Sequence, residues 1–190
     1  MGGVRRRAER VLALGVRLIV FEGADATGTS SHADGVAAAL VERGYLALPF
    51  HHRPAPPRAR PWLRALHYAR ERAAFVEGLG DVVVLADRWT LSNRVMALGS
   101  PPGRVRDVLV ELSRIEEGEL PKPCIEILLD ADDEVLDARL VSRGERVRAE
   151  DREIRRLYRE QPSLLRVDTA RPVEEVRAEL LDLVEGVLRA

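Results

Sequence analysis

Residues 23–31 read GADATGTSS, with two glycines, Gly23 and Gly28, separated by four residues and followed by Thr29, Ser30 and Ser31. This is the outline of a phosphate-cradling loop, G-x-x-x-x-G-K-[ST]. In such a loop backbone N–H groups surround an anion and the last hydroxyl serves a divalent cation. Threonine stands at position 29, where the pattern places lysine. The backbone donors of Gly23, Ala24, Asp25, Ala26, Thr27 and Gly28 are therefore expected to bind phosphate without the usual ammonium. Two further stretches bear on the same chemistry. In LADRW, residues 85–89, Asp87 can hold the water shell of a magnesium ion and Arg88 can grip a phosphate. Between residues 139 and 153, Arg139, Arg143, Arg146, Arg148 and Arg152 crowd a segment with one glycine and few large apolar residues. That composition suits a lid closing cations over a transferring phosphoryl group. Each stretch also has a plainer reading: a strand-to-helix turn, a surface Asp–Arg pair, a solvated charged helix.

These residues need elements to position them. VRLIVFEG (16–23), DVVVLADR (81–88) and CIEILLDA (124–131) are apolar, β-branched runs of strand length, and YLALPF (45–50) and LLRVD (164–168) are shorter ones. Between them the spacing predicts helices. The first follows the glycine loop, capped by Ser30 or Ser31, with Ala33, Val36, Ala37, Leu40 and Val41 on its apolar face and Gly44 at its end. Others are expected from Trp62 to about Leu79, over LSNRVMALG, over 104–119, over 132–145 and from Pro172 to Ala190. Strands alternating with helices imply an α/β fold with a parallel five-stranded sheet covered on both faces. In such sheets ligands bind beyond the carboxyl ends of the strands, where all three stretches above would lie.

Composition narrows the class. The 190 residues are 46% hydrophobic with a formal net charge of -1, enough for one buried core and without the positive excess of a nucleic-acid binder. No apolar run is long enough to span a membrane, and residues 1–15 read as a short amphipathic extension, so a cytoplasmic protein is expected. Cys124 is the only cysteine, which excludes an intramolecular disulfide and a cysteine-based zinc site, and its apolar run predicts a buried thiol. Arginine supplies the positive charge; Lys122 is the only lysine.

In order and spacing, these pieces resemble the thymidylate kinase family of P-loop nucleoside monophosphate kinases. LIVFEGADATGTSS is similar to its F-E-G-x-D-G-x-G-K-[ST]-T loop, VVVLADRW to its V-V-x-x-D-R strand, and the GELPKPCIEILLDADDEVLDARLVSRGE and LLRVDTARPVEEV stretches to its later segments. The resemblance implies a P-loop NTPase-type three-layer sandwich over residues 16–190, with a lid at about 143–152. It also implies Mg2+ with ATP as phosphoryl donor, a pyrimidine nucleoside monophosphate, most simply dTMP, as acceptor, and a homodimer. Carried over by position, Asp87 and Ser30 would organise magnesium, partly through water. Arg88, Arg146 and Arg148 would act on the transferring group, with Arg139 and Arg143 on the ATP phosphates. Arg53 with Arg88 would hold the acceptor phosphate and Asp25 would lie near the sugar. Tyr68 would stack on the base, Arg72 and the Ser92–Asn93 pair would read it, and Met96 would face the sugar where the family keeps tyrosine. The chain departs from the pattern at Thr29, at Ala26 in place of a loop glycine, and at Pro54 after Arg53. Three activities follow: a working kinase for a pyrimidine monophosphate, a nucleotide-binding pseudokinase, and a P-loop kinase for another small acceptor.

Overall fold

A computed structural model describes residues 16–55, 60–76, 79 and 81–190; the N-terminal extension lies outside them, as does part of the proline-rich 53–61 segment. Five strands form one parallel sheet: β1 (Arg17–Glu22), β2 (Ala47–Phe50), β3 (Val83–Asp87), β4 (Ile125–Asp130) and β5 (Leu165–Asp168), in the order β2-β3-β1-β4-β5. The helices are α1 (Thr29–Glu42), α2 (Pro61–Val76), α3 (Thr90–Gly99), α4 (Arg104–Glu119), α5 (Asp133–Ser142), α6 (Ala149–Arg159) and α7 (Val173–Arg189).

Strand pleating explains how apolar runs serve two cores at once. Ile19 and Phe21 of β1 face α1 and α7, where they meet Val36, Leu40, Leu180 and Val184. Leu18 and Val20 face the opposite way, toward Trp89 and Phe75. Ile19, Val20 and Phe21 are fully buried, and each such side chain contributes about 1.5–3 kcal/mol by leaving water. On the second face Leu91 and Val95 of α3 pack with Tyr158 of α6 and Leu128 of β4, and α4 lies against α2 and α3.

The winding direction reverses around β1, because the chain lays β2 and β3 on one side of it and then β4 and β5 on the other. The carboxyl ends of β1 and β3 come side by side, with Phe21 in register with Asp87. A crevice at such a switch point is where ligands of open α/β sheets bind.

Four expectations need correction. Cys124 is exposed, because β4 starts one residue later, at Ile125, and Cys124 only donates its N–H to Leu18 O at the sheet margin. Val41 is 53% exposed: one turn beyond Ala37, it has rotated past the edge of the α1 apolar stripe. Neither Ser30 nor Ser31 caps α1; Gly28 does, at φ 91°. The helix predicted over 132–145 ends at Ser142, and a separate helix, α6, fills 149–159, so the first turn of α6 occupies the end of the predicted lid. Among the described residues no helix is long and apolar enough to cross a membrane.

Candidate active site

The glycine loop is held shut from below. A Cβ on Gly23 would stand 2.5 Å from Thr27 Oγ1 and 2.7 Å from Leu129 O, so only glycine lets the chain turn there. Thr27 Oγ1 donates to Ala24 O at 2.9 Å and closes the turn. Ala26 adopts φ 71°, a left-handed conformation. Arg139 reaches from α5 to donate to Ala26 O at 3.3 Å and to Thr169 O at 2.6 Å, bracing the loop against the end of β5.

The mouth of the loop is prepared for an anion. Gly28 caps α1 without a side-chain hydrogen bond, and the first turn contains no acid. The first-turn N–H groups of Thr29, Ser30 and Ser31 therefore lack an internal partner, and the helix dipole adds partial positive charge. Thr29 itself is 5% exposed.

Asp87, at the tip of β3, accepts a hydrogen bond from the Ser30 hydroxyl. Burial would raise its carboxyl pKa, but hydrogen bonds from Ser30 and Thr29 and the charge of Arg88 bring it below the usual aspartate value. A carboxylate and a hydroxyl so placed offer two of the hard oxygen donors a magnesium ion takes, leaving its other positions to phosphates and water. Among the described residues no group of three or more His, Cys, Asp or Glu side chains could hold a metal alone. The pair thus fits an ion that arrives with a phosphate ligand.

Arg88 follows at φ 65° and donates to Asp25 Oδ1 at 2.8 Å across the loop. Burial opposes its charge, but Tyr158, Asp25 and Asp87 outweigh that and raise its pKa. Its Nε is buried without a partner, a donor left over beside the loop. Asp25 in turn is lowered: burial works upward, while Arg88, Arg148 and Arg143 pull further down. Arg148 NH2 lies 4.0 Å from Asp25, and Arg148, at the N-cap of α6, donates its backbone N–H and NH2 to the two Asp151 carboxylate oxygens. Arg143 and Arg146 are exposed on the 143–148 connection.

The expected acceptor residues separate into groups. Arg72 is 1% exposed, with Nε donating to Glu116 Oε1 at 2.5 Å, NH1 2.7 Å from His52 Nε2, and its guanidinium 5.7 Å from the Trp89 ring centroid. Asn93 donates from Nδ2 to the other Glu116 oxygen at 2.7 Å. Tyr68 is half-buried, 5.1 Å from the His52 ring. Tyr68, Arg72 and Asn93 thus come together around His52 and Glu116. Met96 lies elsewhere, lining a small cleft with Ala24, Asp25, Asp151, Ile154 and Arg155. Ser92 is buried and donates to Glu22 at 2.5 Å, with Tyr158 OH 2.6 Å away. Arg53 projects into solvent with its side chain 89% exposed, and its backbone N–H is held by Glu71 at 2.8 Å.

Several neighbours were not among the expected site residues. Glu22, fully buried, has its carboxyl pKa raised by burial against hydrogen bonds from Ser92, Trp89 and Tyr158. Its signals were an acid ending an apolar strand and its place as the E of the F-E-G stretch. His51 bridges Asp87, at 3.3 Å, and Asp34, at 2.8 Å; burial lowers its pKa, but those hydrogen bonds raise it more. His52 is pushed down to about 3 by burial and then by the Arg72 cation, so it is neutral and accepts from Arg72. The histidine pair directly after β2 was the available signal, since a strand's carboxyl end borders the crevice.

No family model matches the chain, and no curated protein matches it in sequence. Among solved structures it is similar to a thymidylate kinase from Candida albicans, with a TM-score of 0.64 and 17% identity over 90% of this chain and 91% of that one. At that identity the likeness concerns architecture: the chain has the α/β fold of the thymidylate kinases, a P-loop fold on a five-stranded parallel sheet.

Proposed function

We propose that this chain transfers the terminal phosphoryl group of Mg·ATP to a pyrimidine nucleoside monophosphate such as dTMP. The observation that carries this reading is the meeting of Ser30 with Asp87 at a helix N-terminus that has no side-chain cap, beside a part-buried arginine whose Nε is a spare donor. Mg·ATP, when bound, supplies the electrophilic phosphorus and the divalent charge. Ser30 and Asp87 would hold the ion, and the backbone of Gly23 to Ser31 would hold the phosphates. Arg88 would hold the acceptor phosphate against the loop, with Asp25 aligning its guanidinium. An acceptor oxygen then forms a bond to the γ-phosphorus as the bond to ADP breaks. The chain's task in that step is alignment and charge neutralisation.

Residues 16–190 would work as one domain. The 143–152 segment would close Arg143, Arg146 and Arg148 over the phosphates, supplying charge that Thr29 lacks. Tyr68, Arg72 and Asn93 would receive the base and Met96 the sugar. Ser92 would serve by holding Glu22, since its hydroxyl is already committed there. Arg53 would have to swing inward to reach the acceptor phosphate. A second copy would pair along α4, where Val105, Val108 and Ile115 are about half exposed.

A panel of dTMP, dUMP, UMP, dCMP, AMP and GMP with Mg·ATP, read by direct detection of diphosphates, tests the proposal. Pyrimidine diphosphates are expected, at modest rates. No diphosphate from any acceptor would overturn the kinase reading. The burial of Thr29 at the lysine position favours one second reading, a pseudokinase, which ATP binding without turnover would support.

A further inference from the structure

Glu116 is a buried carboxylate that the reaction itself does not require. It is 7% exposed, and its two oxygens accept from two different side chains, Arg72 Nε and Asn93 Nδ2. Resting on the acceptor reading above, we propose that Glu116 is a specificity-determining positioning residue that tunes the site to thymine or uracil and against cytosine.

The argument is one of donors and acceptors. A carboxylate accepts only, so it fixes the Asn93 amide: Nδ2 must face Glu116, and Oδ1 must turn to the opposite side. The flipped amide would set Oδ1 against a carboxylate oxygen, acceptor against acceptor, in a buried setting where such a mismatch is costly. Arg72 is fixed by the same carboxylate. Nε is taken by Glu116 and NH1 by neutral His52, while NH2 is buried with no partner. The pair of groups therefore retains a donor from Arg72 and an acceptor from Asn93. Thymine and uracil carry the complement on one edge, the O4 acceptor next to the N3–H donor. Cytosine carries the reverse, an amino donor next to the bare N3 acceptor. A site built to hydrogen-bond one pattern rejects the other strongly, because its buried groups are left unpaired.

Calorimetry with dTMP, dUMP and dCMP on the wild-type chain and on Glu116→Gln tests this. Wild type should prefer dTMP and dUMP over dCMP by roughly 100-fold or more. In Glu116→Gln the side chain can accept or donate, the Asn93 amide can turn over, and the preference should fall below about 10-fold with ATP affinity unchanged. Should Glu116→Gln fail to fold, Asn93→Ser leaves the Arg72–Glu116 pair in place and removes the oriented amide, and it should collapse the same ratio. A wild type that binds dCMP as well as dTMP, or a ratio untouched by these substitutions, overturns the role of Glu116 and leaves the kinase reading standing. Failure of all three pyrimidine monophosphates to bind wild type removes both.

Discussion

Thr29→Lys tests the chemistry most directly. Thr29 is 5% exposed, at the first position of α1, with its hydroxyl on Asp87, so an ammonium extended from it would start from a buried position at the mouth of the loop. One positioned charge about 4 Å from a phosphate oxygen is worth roughly 4 kcal/mol at the screening typical of protein sites. Against that stand the lost help of the Thr29 hydroxyl to Asp87, about 1 kcal/mol, and the competition of Asp87 for the new cation. A net gain of about 1.5–3 kcal/mol corresponds to a rate increase of roughly 10- to 100-fold. The assay is dTDP formation under saturating Mg·ATP, with thermal unfolding and ATP affinity measured in parallel. A variant that folds and binds ATP yet turns over no faster than wild type would refute the idea that position 29 lacks a needed charge. In that case Arg146→Ala or Arg148→Ala should abolish turnover, because those residues already provide it.

Three further outcomes are expected. Ala26→Gly should stabilise the fold by about 1 kcal/mol, since alanine at φ 71° is strained where glycine is not; urea denaturation showing a loss would argue against that strain. Gly23→Ala should cost about 1–3 kcal/mol and weaken ATP binding, because the added methyl meets Thr27 Oγ1 and Leu129 O inside contact distance; unchanged stability and affinity would contradict the packing. Glu126 has its pKa pushed up to about 7, by burial first and then by Glu22 and Glu117. The folded protein therefore binds this proton more tightly than the unfolded chain, and stability should fall as pH rises from about 4.5 to about 7. After discounting for its partial exposure, Glu126→Gln should recover roughly 1–2 kcal/mol at pH 8 and little at pH 4, by urea denaturation at both values.

The strands were legible because β1, β3 and β4 are buried on both faces and so appear as unbroken apolar runs, and the loop because its glycines have a backbone reason to be there. Boundaries were harder. Cys124 belongs to an apolar run by composition, yet the ladder starts at Ile125, and no local signal says so. The base pocket was half legible: Tyr68 and Arg72 are one helical turn apart and come as a pair. Their partners were not, because Glu116 lies 44 residues from Arg72 in sequence and His52 lies 20. Contacts of that range are made by packing α4 on α2, not by any periodicity. Arg53 was placed by analogy of position, and the Glu71 tether on its backbone N–H is a long-range contact of the same kind.

The Arg139 brace sets an order of events during synthesis. It ties Ala26, in a loop made early, to Thr169, made 143 residues later, and β1 itself lies between β3 and β4, both translated after it. At about 5–20 residues per second a ribosome needs roughly 7–29 s to cover that interval. Until β3 is made, β1 has no neighbour to pair with, and until Thr169 is made the Arg139 brace on the loop has no far anchor. The braced loop exists only once β5 is in place, so the stabilising effect of nucleotide should fall mainly on the finished fold and slow unfolding more than it hastens folding.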